Sequence, residues 1–388
     1  MGDTLLVENL APVIPDTLHP VEVARYGRAS GAPEYLFTQI YSFAVDEEGS
    51  VFIFDERDGI RWYSREGDYE GVVAGRGEGP GEVGYVVAMS ASGSGRVAVV
   101  DISNRRISVF SRGHPTWSTR LGRGHPPYRE GAITFHKDDS VWIETSANYP
   151  LAGGIGHPRA VYVRLDGDGS SVDTVFTPPS AATQCPTLSS IEHAAGFWED
   201  RRDPFVPKVK WALGPDGTFI VGCPSSYQFS IYQEDGPVLK VTRERPPVIV
   251  TPEERAFREE RPVPKAEGAL PAYSRLLAPD GLRIWVWPRQ PNVKRALQAE
   301  AAERFGVTHS WVLPWQGAFD VFTTEGDWLA VVKLPPKARY SGYPTEPNVV
   351  IRGDTLWAVE LDDFDVPTVV RYTVPGLTPE RGVSVPSA

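Results

Sequence analysis

The sequence predicts an all-β fold made of one small sheet repeated around a ring, and three observations carry that prediction. The stretch Glu48–Tyr63 (E-G-S-V-F-I-F-D-E-R-D-G-I-R-W-Y) returns as Gly93–Phe110 (G-S-G-R-V-A-V-V-D-I-S-N-R-R-I-S-V-F). Each copy is a turn, a strand ending in Asp55 or Asp101, a polar loop and a second strand; a spacing of about 40–50 residues is that of a propeller blade. Second, a Gly/Asp-rich turn precedes the second strand of every unit: Asp46–Gly49, Ser92–Gly95, Lys137–Asp139, Gly214–Gly217, Pro279–Gly281 and Arg352–Asp354. Tight hairpins need residues that tolerate positive φ. Third, the chain is rich in Gly (37), Pro (36) and aromatic residues but has only 2 Met, as suits many short strands joined by turns. Six turns imply a six-bladed β-propeller of four-stranded blades.

The elements follow in order. Pro20–Tyr26 (P-V-E-V-A-R-Y) reads as a strand with no neighbour in sequence. Blade one is read as Phe37–Val45, Val51–Phe54, Ile60–Tyr63 and Tyr69–Val73, and blade two as Tyr85–Ala91, Val97–Val100, Ile107–Phe110 and Trp117–Leu121. Blade three runs Ala132–His136, Val141–Glu144, Ala160–Leu165 and Val172–Phe176; blade four runs Lys208–Leu213, Thr218–Val221, Gln228–Tyr232 and Val238–Thr242. Blade five is split by insertions into Tyr273–Ala278, Leu282–Trp287, Ala318–Thr323 and Trp328–Leu334. Blade six shows only Asn348–Ile351, Thr355–Val359 and Thr368–Thr373, so the N-terminal strand is expected to supply its fourth and remove the open edges. The whole chain, 1–388, is thereby expected to be one domain.

The long connections, 177–207, 243–272, 288–315 and 335–347, all join strands two to three or strand four to the next blade, which share one end of the ring, here called the top. Insertions gathered on one face mark a binding face. Two of them contain predicted helices. Thr251-Pro252-Glu253-Glu254 is an N-cap, a first-turn Pro and two early acids, opening a helix to about Glu260. Val293–Phe305 has strong helix formers and stops at Gly306.

Net charge is −11, which disfavours nucleic acid and anionic membranes as partners. No apolar run approaches the roughly 18 residues of a membrane span. Met1-Gly2-Asp3-Thr4 has no basic start and no apolar segment, which leaves either a cytoplasmic protein or one whose signal peptide is absent from this sequence.

The repeats resemble six-bladed propellers of the bacterial NHL-repeat type, on Val99–Phe110 and on Gly75–Glu82 (G-R-G-E-G-P-G-E) before the next blade. The resemblance covers blades one and two well and the others loosely. It implies a secreted or periplasmic protein. Related propellers include peptidyl-hydroxyglycine lyases and gluconolactonase-like hydrolases, so it leaves an enzyme open.

Gly-Arg recurs at three successive blade ends, Gly27-Arg28, Gly75-Arg76 and Gly122-Arg123. Three guanidiniums on the top face are expected either to hold a carboxylate or sulfate, or to tie blades together through acids such as Asp55 and Asp101. Asp55, Asp101 and Glu360 end equivalent strands and are kept as ligand-contact candidates; three uneven acids make a poor metal ring, and in the resembling family this Asp stabilises a turn. No cofactor is expected, with calcium the one ion left open; the Asp362-Asp363-Phe364-Asp365 loop reads as a solvated loop before a weak cation site. Among the top-face histidines, His125, His157, His193 and His309, none has metal-pair spacing; His125 is kept with Tyr227 as a ligand-contact candidate. No Gly-x-Ser-x-Gly elbow is present. Cys185 and Cys223 both fall at the top of blade four and are expected to form a disulfide. The reading is a monomeric secreted or periplasmic module binding a protein or carbohydrate at the top face. The competing reading is a hydrolase or lyase with its site at the top of the central channel, working with or without a metal.

Overall fold

A computed structural model describes residues 4–111, 113–120, 133–147, 159–165, 172–176, 209–232, 238–259, 269–296, 309–312, 317–335, 338 and 348–377. They form six small antiparallel sheets in a ring, a six-bladed β-propeller, plus one two-stranded hairpin. Each blade begins with an inner strand: Ile40–Val45, Val86–Ala91, Ile133–Phe135, Lys210–Leu213, Tyr273–Leu277 and Val349–Arg352. These inner strands together line the central channel.

The second strands are apolar on both faces because every blade is covered by a neighbour on each side. Alternation sends successive side chains to opposite neighbours. In Val51–Asp55, Phe52 and Phe54 pack towards blade two, while Val51 and Ile53 pack towards blade six. In Arg96–Asp101, Val97 and Val99 face blade one, and Ala98 and Val100 face blade three. Trp285, Trp287 and Phe319 fill the space between blades five and six.

The bottom turns are also linked hand to hand. Arg96 of blade two pairs with Asp139 of blade three at 2.7 Å. Lys137 N donates to Pro215 O of blade four at 3.0 Å. Gly281 of blade five packs so closely on Asp216 that a Cβ there would lie 2.8 Å from Asp216 Cγ. Gly353 N of blade six donates to Asp280 Oδ2 at 2.9 Å.

Strand β1 (Thr4–Asn9), strand β2 (Thr17–Leu18) and strand β3 (Val21–Tyr26) explain how the ring is joined. As expected, β3 lies antiparallel on Pro367–Thr373 as the outer strand of blade six, with Tyr26 opposite Val369 and Arg25 opposite Val370. The sequence reading missed the other two. β1 adds to blade four in parallel, Thr4 opposite Val238 through Asn9 opposite Arg243, and β2 adds to blade five beside Val331 and Val332. The chain's first segment thus crosses three blades.

Helix α1 (Pro252–Glu259) forms where the N-cap signal placed it, with Glu254 N donating to Thr251 Oγ1 at 3.2 Å. The second predicted helix is corrected at its start. Val293–Ala296 is a strand, paired antiparallel with His309–Val312. A β-branched first residue and a partner strand outweigh helix propensity there. Residues 297–308 lie outside the described residues.

Candidate functional site

Asp55 and Asp101 are fully buried, and their carboxylates hold the top loops of their own blades. Asp55 accepts from Thr38 N at 2.6 Å and Gln39 N at 3.3 Å in the loop that enters blade one, and from Arg57 N at 2.8 Å in the loop that leaves strand two. Asp101 repeats the pattern with Gly84 N at 2.8 Å, Tyr85 N at 3.1 Å and Asn104 N at 3.2 Å, and adds Asn104 Nδ2 at 2.7 Å. A carboxylate suits this task because its two oxygens accept several N–H groups at once. A ligand on the top face would meet the loops these aspartates hold rather than the carboxylates.

Glu360 is 3% exposed and accepts from Tyr372 Oη and, at 3.0 Å, from Arg25 Nη2 of β3. Its task is to tie the closing strand to blade six. Tyr227 is buried between blades four and five and donates to Asp320, which also pairs with Arg243. Arg243 lies over the Trp328 ring at 3.6 Å. Burial pushes the Asp320 carboxyl above the usual carboxylate range, against the pull of Arg243. Burial and the Asp320 charge push the Tyr227 hydroxyl well up. Sequence reasoning missed Asp320: it stands in the third strand of its blade, outside the repeated motif, and no local pattern marks its partners 93 and 77 positions away.

Arg28 and Arg76 are both exposed at the top. Arg28 lies over the Tyr35 ring at 4.4 Å. Among the described residues neither forms an ion pair with Asp55 or Asp101, so the blade-tie reading finds no support at these two positions. Arg123 and His125 lie outside the described residues. Cys223 Sγ lies 3.4 Å from Ser225 Oγ; Cys185, its expected partner, lies outside the described residues.

The acidic loop Asp362–Asp365 is an Asx turn: Asp362 Oδ1 accepts from Phe364 N at 2.8 Å and Val366 N at 2.9 Å. Among the described residues no three His, Cys, Asp or Glu side chains are grouped to hold a metal ion.

The insertions of blades four and five are fastened to each other by buried polar groups. Glu254 of α1, 1% exposed, accepts from Asn292 Nδ2 at 2.7 Å; Asn292 Oδ1 accepts from Arg289 Nη2 at 3.2 Å. Arg245 donates to the Arg289 carbonyl at 3.0 Å, and burial lowers its pKa. The channel below encloses about 170 Å³ and is lined by residues of all six inner strands.

No protein-family model matches the chain. No curated protein matches it. Among solved structures, the chain is similar to a Bacteroides fragilis protein described as exported: 9% identity, 96% of this chain and 99% of that one, TM-score 0.49. It is also similar to virginiamycin B lyase from Staphylococcus aureus, in a catalytically inactive form with quinupristin, at 11% identity over 92% of this chain and 99% of that one, TM-score 0.41. YCF48 from Cyanidioschyzon merolae matches at 10% identity over 92% and 99%, TM-score 0.42. Likenesses this distant decide nothing about ligand or chemistry; the fold rests on the six sheets themselves.

Proposed function

We propose that this chain is a secreted or periplasmic, monomeric propeller of NHL type that binds a protein or carbohydrate ligand with its top face. The observation that carries the reading is the fastening of the top insertions. Buried charges are costly unless paired. Glu254, Arg289 and Arg245, with the neutral carboxamide of Asn292 bridging the first two, spend theirs on holding α1 and the 289–294 segment in one place. That makes a fixed platform out of connections that would otherwise be loose loops. Arg28 and Arg76, exposed and without carboxylate partners among the described residues, are offered to acidic or oxygen-rich groups; Arg123 and His125, expected to join them, lie outside the described residues. A Cys185–Cys223 bridge belongs to this reading, pinning the 177–207 insertion beside blade four.

The enzyme reading predicts displaced titrations along the channel. Tyr227, Tyr273 and Asp320 are displaced upward by burial between blades four and five, away from the channel lining. In the lining, burial displaces Arg352 downward, and its guanidinium is spent on the carbonyls of Val45 and Ala91.

The test is a pair of arrays, immobilised glycans and immobilised peptides, probed with the wild type and with a variant whose residues 251–268 are replaced by a short Gly-Ser linker. The reading expects a specific signal that the variant loses while its melting temperature stays close to wild type. Signal on neither array, or signal undiminished in the variant, contradicts it. Cleavage of an arrayed compound would favour the enzyme.

A further inference from the structure

The central channel carries a second feature, independent of the top face. Its described lining includes three cationic side chains, Lys210, Arg275 and Arg352, and no aspartate or glutamate. This is the reverse of a chain whose net charge is −11. Hydroxyls add to the donors: Ser42 and Ser274 also line the space. Arg275 is 7% exposed and Ser274 9% exposed, and the Ser274 Oγ is buried with no hydrogen-bond partner. A buried polar atom without a partner is uncommon and calls for an explanation.

Arg352 closes the bottom of this space. It spends Nε and Nη2 on the carbonyls of Val45 and Ala91, while Nη1 has no hydrogen-bond partner among the described residues. The nearby acids, Asp46, Glu47 and Asp280, belong to the bottom turns, outside the lining. Lys210 and Arg275 are already engaged by neighbours, so their charge is shared, and a ligand would join that arrangement rather than fill an idle one.

We propose that the channel is a binding site for a small oxyanion, a phosphate or a short carboxylate, held by Lys210, Arg275, Arg352 and the Ser274 hydroxyl. Size agrees with this class: a cavity of about 150 Å³ accepts a benzene-sized molecule, and this one encloses about 170 Å³. Low-dielectric walls lined by one sign of charge concentrate ions of the other. A carboxylate or phosphate oxygen would also give Ser274 Oγ the acceptor it lacks.

Thermal melting in phosphate and in succinate, against potassium chloride at matched ionic strength, tests the site. Wild type should show a saturable rise with at least one of the two anions. Lys210→Met and Ser274→Ala should each weaken half-saturation about tenfold, the scale of one lost charge-assisted contact. Ser274→Ala removes one oxygen and keeps the fold testable if Lys210→Met does not fold. The variant lacking residues 251–268 should keep the anion response, which separates this site from the top face. No rise above the chloride control, or an unchanged response in Ser274→Ala, overturns the proposal.

Discussion

Arg352, at the end of the first strand of blade six, donates to the carbonyl of Val45, at the end of the first strand of blade one, with Nε at 2.9 Å and Nη2 at 2.8 Å. The same Nη2 reaches Ala91 O of blade two at 3.1 Å. One side chain therefore spans the seam where the ring closes. Burial lowers the Arg352 pKa, and Glu47, Asp46 and Asp280 oppose that effect. Arg352→Met should strand the two carbonyls and cost about 2–3 kcal/mol of stability, the scale of lost hydrogen bonds to a charged group. Urea denaturation measures it; a loss below about 0.5 kcal/mol would remove Arg352 from the closure.

Asn9 stitches blades four and five from outside. Its Nδ2 donates to Gly326 O at 3.0 Å and Thr242 O at 3.3 Å, and its Oδ1 accepts from Trp328 N at 2.7 Å. Asn9→Ala leaves a buried N–H and carbonyl unpaired and should cost about 1–3 kcal/mol. Asn9→Asp keeps the acceptor but sets a charge against two carbonyl oxygens, so it should not restore stability at neutral pH. Full stability of Asn9→Asp in the same denaturation series would show that the carboxamide donor does nothing.

Asp320 gives a pH signature. Its carboxyl is raised in the folded protein, so it holds its proton more tightly there than in the unfolded chain. The stability it contributes is complete below the unfolded value, about 4, and is lost as pH rises through the folded value. Asp320→Asn removes this titration. The stability of wild type minus that of Asp320→Asn should therefore fall as pH rises from about 4 towards neutrality. A difference that stays constant, or grows with pH, would mean the carboxyl is not raised by folding.

The proposed Cys185–Cys223 bridge predicts that native protein, treated with an alkylating agent without reductant, keeps its intact mass. Reduction should then open both thiols to labelling and lower stability by roughly 2–4 kcal/mol. Two labelled cysteines in untreated native protein would remove the bridge, and with it a main argument for an oxidising compartment.

The blades were legible because the turn and the two strands after it lie next to each other in sequence and carry period-two patterning. Closure by β3 was legible as a deficit, a strand without a blade and a blade without a strand. β1 and β2 left no such mark, because their parallel partners stand more than 200 residues away: Thr4 opposite Val238, Thr17 opposite Val331. At Val293 the local signal pointed the wrong way, since helix formers crowd the segment and the deciding partner, Val312, lies beyond them. At the top face, Asp55 and Asp101 stood out by repetition, yet what they do depends on which backbone N–H groups surround them. Asp320 and Arg352 stood out by nothing, because their partners come from other blades.

The ring is closed by its own N-terminal strand, with Tyr26 opposite Val369 and Arg25 opposite Val370. Deleting residues 1–26 would take away the outer strand of blade six, the Arg25 contact to Glu360 at 3.0 Å and the Asn9 stitch. It would also expose an unpaired sheet edge. The most direct measurement is the melting temperature of that truncated chain beside one truncated only through Leu18. Loss of β1 and β2 should bring a modest fall, and loss of β3 as well should bring aggregation or a much lower transition. A chain lacking residues 1–26 that melts cooperatively at the wild-type temperature would contradict closure by this strand.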